Sequence, residues 1–146
     1  MPIPSLTATP QPAVSGTIRL TPAATPTTAM PLIQTIELLE ADGRVMGTLT
    51  WFTTGADGVI HLLFAEIDPA HQRRGVGTRL FNVLLKEANL FFRARGGRLR
   101  RVIANAEQKN HIIARAWLTH LGFHHVQTIT NSLQGQDVLV YLLGCD

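Results

Sequence analysis

The chain has 146 residues, a length that fits one domain with a single substantial core. Hydrophobic residues make up 45% of it and charged residues 16%, which excludes an intrinsically disordered polyelectrolyte. A formal net charge of +3, from 13 Lys and Arg against 10 Asp and Glu, suits an anionic ligand and is too small to argue for nucleic acid.

The lone cysteine, Cys145, cannot form an intramolecular disulfide, and a reducing compartment fits. The opening MPIPSLTATPQP has neither the basic start nor the apolar centre of a signal peptide. No apolar run approaches the roughly 20 residues of a membrane span. A soluble, cytoplasmic protein with no membrane partner is expected.

Residues 1–15 are rich in Pro, Thr and Ser without any apolar period, so a flexible tail is expected ahead of a single domain over residues 16–146. Residues 17–22 (TIRLTP) alternate apolar and polar as an edge strand would, stopped by Pro22. Prolines and threonines crowd residues 23–31 and leave no room for a proper helix. Residues 35–54 read as a hairpin, two apolar-rich runs flanking Asp42-Gly43, a dipeptide suited to a tight turn. Asp57-Gly58 then leads into a strand over residues 59–67, expected to pair antiparallel with that hairpin. Its apolar Ile60, Leu62, Leu63, Phe64 and Ile67 predict a central strand covered on both faces.

Pro69 ends the strand. Leu80, Phe81, Leu84, Leu85, Ala88, Phe91 and Phe92 recur at spacings of three and four, which predicts one broad helical face. Gly96-Gly97 stops that helix, with Arg93 and Arg95 in its last turn, where cations complement the dipole. A short strand follows over residues 102–104. A second helix over residues 111–121 offers Ile113, Ala116, Trp117 and Leu121 to one face, with Gly122 at its C-cap. Residues 126–130 and 138–142 form a last hairpin. The predicted class is α/β, a single-domain mixed sheet flanked by helices in the order β-β-β-β-α-β-α-β-β.

Between the central strand and the first helix lie Gln72, Arg73, Arg74, Gly75, Val76, Gly77 and Thr78. The first amides of a helix lack internal acceptors and carry partial positive charge, so this turn offers several donors to an anion. Glycines at 75 and 77 let a ligand approach the backbone, and the two arginines add charge at the rim. The implied ligand is a phosphate or pyrophosphate. Neither the dinucleotide fingerprint nor a P-loop is present. By itself the fragment is equally consistent with a strand-to-helix turn that uses glycine only for geometry.

The run I-D-P-A-H-Q-R-R-G-V-G-T-R-L closely resembles the acyl-CoA-binding motif of the GNAT superfamily of N-acyltransferases. About 45 residues on, A-R-A-W-L-T-H-L-G-F resembles that family's second motif, a helix ending L-G-F before a final hairpin. The strand order also matches, and the resemblance covers about residues 17–143. It implies a GNAT-like fold whose usual first helices are here reduced. It also implies transfer of an acetyl group from acetyl-CoA to a primary amine by direct attack, through a tetrahedral intermediate. The family would place the pyrophosphate on the amides of residues 72–78. The pantetheine arm would lie on the main chain of Ala65, Glu66 and Ile67, at a bulge where the central strand parts from its neighbour. A bulge is a plausible way to make such an opening. Asn110 and His111 fall at or beside the family's cofactor-side asparagine position.

An alkylammonium must lose a proton before it attacks, and the leaving thiolate gains from an acid. His61 lies on the strand position where histone-type members carry glutamate and serotonin-type members histidine, and an imidazole's ordinary pKa of about 6.5 suits a base. Its bland alternative is a hydrogen-bonded strand histidine. Glu66 is a carboxylate at the end of an apolar strand, a base or an ammonium site, or else a rim carboxylate paired with an arginine. Asn105 and Glu107 are weaker options. Where many members carry an acidic tyrosine this chain has Leu118, or Trp117 with one insertion. The only tyrosine, Tyr141 on the last strand, is a weak candidate acid and more simply a buried hydroxyl.

His120, His124 and His125 lack a carboxylate or cysteine at useful spacing, so no metal is expected. Arg93, Arg95, Arg98, Arg100 and Arg101 make a solvated basic corner, or one that meets the CoA 3′-phosphate or an acidic partner. The expected acceptor is an amine on a small molecule, peptide or protein, with a homodimer as one way to complete its pocket. The alternative function is a GNAT-like CoA-binding module with little or no turnover.

Overall fold

The computed structural model describes residues 15–21, 32–72, 74–107, 111–130 and 137–145, with only the backbone described at 107 and 111–114. Seven strands, β1 (Thr17–Thr21), β2 (Leu32–Leu39), β3 (Val45–Thr53), β4 (Val59–Ile67), β5 (Arg101–Glu107), β6 (His124–Ile129) and β7 (Val138–Gly144), form one mixed sheet. Its order is β1-β2-β3-β4-β5-β7-β6, so β4 is the central strand. The β4–β5 pair is parallel and every other neighbouring pair antiparallel. Two helices are described, α1 (Val76–Arg93) and α2 (His111–His120), with a short 3-10 turn at Pro69–His71 ahead of α1.

Side chains of a strand alternate between faces, and here one face is dry. Leu32, Gln34, Ile36 and Leu38 of β2 pair with Thr53, Trp51, Leu49 and Gly47 of β3, and all eight are buried. The polar members are satisfied: Trp51 Nε1 donates to Gln34 Oε1 at 2.8 Å, and Thr53 Oγ1 donates to the Val59 carbonyl at 2.8 Å. α1 closes this face with Val76, Leu80, Phe81, Leu84, Ala88, Phe91 and Phe92, the predicted stripe except that Leu85 is only partly buried. Gly47 lets the helix sit close, since a Cβ there would lie 2.8 Å from Val76 Cγ1 and 2.9 Å from both Ile67 Cδ1 and Leu80 Cδ1.

α2 lies beside α1 on the same face, with the Trp117 and Phe123 rings 6.3 and 5.6 Å from Phe81. Among its described side chains Leu118 is buried and Ala116 is exposed, which differs from the predicted face. Trp117 is partly buried, its ring edge-on to Phe81.

The opposite face is largely open. Leu63 is 56% exposed, Phe64 49% and Ile33 53%, which corrects the expectation that β4 is covered above and below. The two described helices both pack on the Leu49–Ile60 side, and no described helix lies over the other. All but the last residue of the expected tail over residues 1–15, and the segment 22–31, fall outside the described residues.

Candidate functional site

β4 and β5 pair only from Val59↔Arg101 to Leu62↔Ala104. Beyond Ala104, β5 continues along β7, and beyond Leu62, β4 continues along β3. The two central strands therefore part, leaving the β5-facing edge of residues 63–67 without a strand partner among the described residues. The bulge sits earlier than expected. Register shifts between Thr50 and Trp51 leave Leu63 as the extra residue, so Ala65, Glu66 and Ile67 lie beyond the bulge, in regular pairing with Leu49, Thr48 and Gly47. The shift's position depends on β3, whose register the β4 sequence does not contain.

At the open end of this wedge, β4 runs through the 3-10 turn into α1. Gly75 is the N-cap, at φ 84°, in the left-handed region that glycine occupies without strain, and it has no side-chain cap. The helical ladder begins with Arg79 N–H to the Gly75 carbonyl at 3.0 Å. The amides of Val76, Gly77 and Thr78 thus precede the first ladder bond and point out of the helix end. Gln72 Nε2 donates to the Ile67 carbonyl at 3.3 Å, which ties the turn to the end of β4. Arg79 Nη2 bonds the Gly16 carbonyl at 3.1 Å and braces the same turn from β1. Arg74 is exposed beside these amides, while Val76 is 1% exposed and could meet a ligand only through its backbone.

Gly77 has a packing reason to be glycine beside the expected one. A Cβ there would stand 2.7 Å from Trp117 Nε1 and 3.2 Å from Trp117 Cε2, so the missing side chain makes room for the indole of α2. That indole N–H is buried and has no partner among the described residues. Leu118 is 3% exposed, so neither residue at the family's tyrosine position offers an acid to the wedge.

The candidate bases lie on the open face. His61 is on the β4 edge one residue before the strands part, facing Ile103, with its ring 6.0 Å from Phe52. It makes no hydrogen bond among the described residues, so the alternative of a bonded structural histidine is not what these residues form. Glu66 lies beyond the parting point, exposed, across from Thr48, and without an ion pair among the described residues. Five residues of extended chain separate the two, on the order of 13–17 Å. They do not converge on one atom. Glu37 shares this face but is committed to Arg19 at 2.7 Å.

Tyr141 is 2% exposed, on the helix-covered face opposite Ala104, with no partner for its hydroxyl among the described residues. Its ring packs 5.4 Å from His125, whose Nε2 lies 3.0 Å from both the Gln127 carbonyl and Thr128 Oγ1. His111 starts α2, and its side chain, like all of Arg73 and Asn110, is outside what is described. Asn105 is exposed on β5. The arginine run lies at the other end of α1 from Gly75, 18 residues or about 27 Å away. A ligand whose pyrophosphate sat at the turn would not bring a nearby 3′-phosphate there, which removes that expected role.

Residues 25–123 match the family model of the acetyltransferase (GNAT) family. The chain belongs to this family. It is therefore an acyltransferase. Among solved structures, a GNAT-family protein from Desulfovibrio desulfuricans is 21% identical with TM-score 0.65, over 77% of this chain and 69% of that one. The ribosomal-protein-S18-alanine N-acetyltransferase from Escherichia coli is 20% identical with TM-score 0.57, over 85% and 75%. A spermidine/spermine N-acetyltransferase from Vibrio cholerae is 14% identical with TM-score 0.60, over 77% and 66%. At these identities the likeness is one of fold. A search of the curated proteins finds no match.

What the sequence did not flag is the open apolar face beside His61, built by Ile33, Phe52, Phe64 and Leu63. Their strand spacing looks like that of any core strand.

Proposed function

We propose that this GNAT protein transfers an acetyl group from acetyl-CoA to a primary amine. The observation that carries the reading is the parting of β4 from β5 directly above a turn whose first helical amides have no acceptor in the ladder. A pyrophosphate suits the amides of Gly75 to Thr78, with Gln72, Arg73 and Arg74 at the rim, because unsatisfied donors and a helix N-terminus both favour an anion. A pantetheine arm suits the free edge of Ala65 to Ile67, where main-chain groups no longer meet a strand. Asn110 and His111 would lie beside the donor on the α2 side.

The thioester then falls near the parting point, next to His61. We assign His61 as the general base that takes a proton from the acceptor ammonium, which lets the free amine attack the thioester carbon and expel the thiolate. Glu66, five residues further along β4, is too distant to share that proton and suits the acceptor's cationic end. Tyr141 is buried on the other face, so water is the simpler proton source for the thiolate. The open face beside Phe64 and Phe52 supports a broad acceptor, such as a polyamine or a peptide amine, or a pocket completed by a second copy of the chain.

Calorimetric titration with acetyl-CoA tests the donor half: saturable 1:1 heat is expected, and strong weakening in Arg74→Glu. No heat from the parent protein would overturn it. Release of free CoA during incubation with amines, polyamines and peptides tests the acceptor half, with His61→Gln and Glu66→Gln run beside the parent. His61→Gln is expected to cut kcat by roughly 10²–10⁴. Glu66→Gln is expected to act mainly on the acceptor KM.

A further inference from the structure

A pocket of about 570 Å³ opens at the far end of α1, a size typical of sites for small ligands. It is lined by Arg93, Arg95, Arg98 and Arg100 against one carboxylate, Asp57. Of the other exposed arginines, Arg19 is paired with Glu37 and Arg44 with Asp42 and Glu40, while Arg74, Arg101 and Arg115 have no acidic partner among the described residues. Arg93, Arg98 and Arg100 have no acidic partner among the described residues. The negative helix end accounts for Arg95, whose Nη1 bonds the Phe91 carbonyl at 3.2 Å and whose guanidinium lies 3.8 Å over the Phe91 ring. It does not account for Arg98 and Arg100, which lie beyond the helix.

Those two are held in place by their backbone. Gly97 N–H bonds Phe92 O at 2.9 Å, Leu99 N–H bonds Asn89 Oδ1 at 3.1 Å, and Arg100 N–H bonds Gly58 O at 2.8 Å. Leu99 between them is 5% exposed, so in this extended stretch Arg98 and Arg100 fall together on the opposite side. The pocket wall is also kept clear. Gly97 has no left-handed φ, and a Cβ there would meet only Phe92 O at 3.7 Å, an ordinary contact. Neither conformation nor packing requires glycine at that position, but any longer side chain would stand in the pocket.

We propose that this pocket is a second anion site, separate from the acyl-donor turn, and that it takes a small ligand bearing two or more linked phosphates. Guanidinium forks match phosphate oxygens bidentately, and three unpaired forks converging on one hollow suit several phosphates better than a single carboxylate. Concavity and the carboxylate of Asp57 disfavour a long polyanion that would have to run past it.

The test is calorimetric titration of the full chain with inorganic tripolyphosphate, in the parent and in Arg74→Glu, which weakens the donor turn alone. A binding event that survives Arg74→Glu, weakens on the order of tenfold or more in Arg98→Gln/Arg100→Gln, and tightens severalfold in Asp57→Asn supports the site. Circular dichroism confirms that each variant is folded. No event in Arg74→Glu, or equal affinity in the double arginine variant, overturns it. So does tighter binding of a single-stranded RNA decamer than of tripolyphosphate, which would make the arginines a nucleic-acid contact.

Discussion

Trp117 and Gly77 show how a residue in a ligand-binding motif can answer to packing first. The indole fills the space that a side chain at 77 would need, and an aromatic ring wedged against Phe81 cannot yield as a flexible chain end would. Gly77→Ala is expected to destabilise the fold by about 1–3 kcal/mol in urea unfolding, the usual cost of overpacking. Trp117→Leu in the same background should recover part of that loss, so the two substitutions couple in a double-mutant cycle. Additive effects would show that the indole does not press on residue 77. The same contact makes Gly77 a poor position for probing donor binding, since a loss of affinity there would mix unfolding with lost contacts. Arg74, exposed and outside the core, separates the two.

The β2–β3 hairpin carries two interactions that can be checked as one element. Gln34 is 3% exposed opposite Trp51, and Gln34→Leu would leave the buried indole N–H without an acceptor, at a cost of about 1–3 kcal/mol measured by denaturant unfolding. At the turn, the Arg44 backbone N–H donates to Asp42 Oδ1 at 3.0 Å, and this bond leads in holding the Asp42 carboxyl below its ordinary pKa, with the Arg44 side chain adding to it. A folded pKa below the unfolded one means stability present at neutral pH and lost as pH falls through the folded value. Asp42→Asn should therefore lower Tm at pH 7 and converge with the parent as acid protonates the Asp42 carboxylate. Gln34 also explains a boundary. Its buried amide breaks the apolar alternation, so β2 reads from Thr35 in the sequence although it begins at Leu32. The long stripe of α1 was readable because seven apolar residues share one face with no polar exception. β5 and β6 were read too short because their ends carry Arg101, Glu107, His124 and His125. These join the sheet through backbone pairing with β7, which an apolar pattern does not report. The bulge at Leu63 and the open face were unreadable for a related reason: register and coverage belong to two elements at once.

At the scale of the molecule, α1 is a rigid spacer with a proposed anion site at each end, both drawing on glycines and arginines. The N-terminal one uses helix amides and the wedge between β4 and β5. The C-terminal one works against the helix dipole and relies on arginines that mostly lie outside the helix. Ligands at such sites stabilise the fold by mass action, and the two contributions should be separable because the sites share no residue. Acetyl-CoA at about 100 times its Kd should add roughly 2.7 kcal/mol, a Tm rise of roughly 5–10 °C for a chain of this size. Arg74→Glu should erase most of that rise, while Arg98→Gln/Arg100→Gln should leave it intact. Tripolyphosphate should show the converse pattern for its second binding event. If the double arginine variant also lost the acetyl-CoA shift, the basic corner would be part of the donor site, and the placement of its residues about 27 Å from Gly75 could not hold in solution.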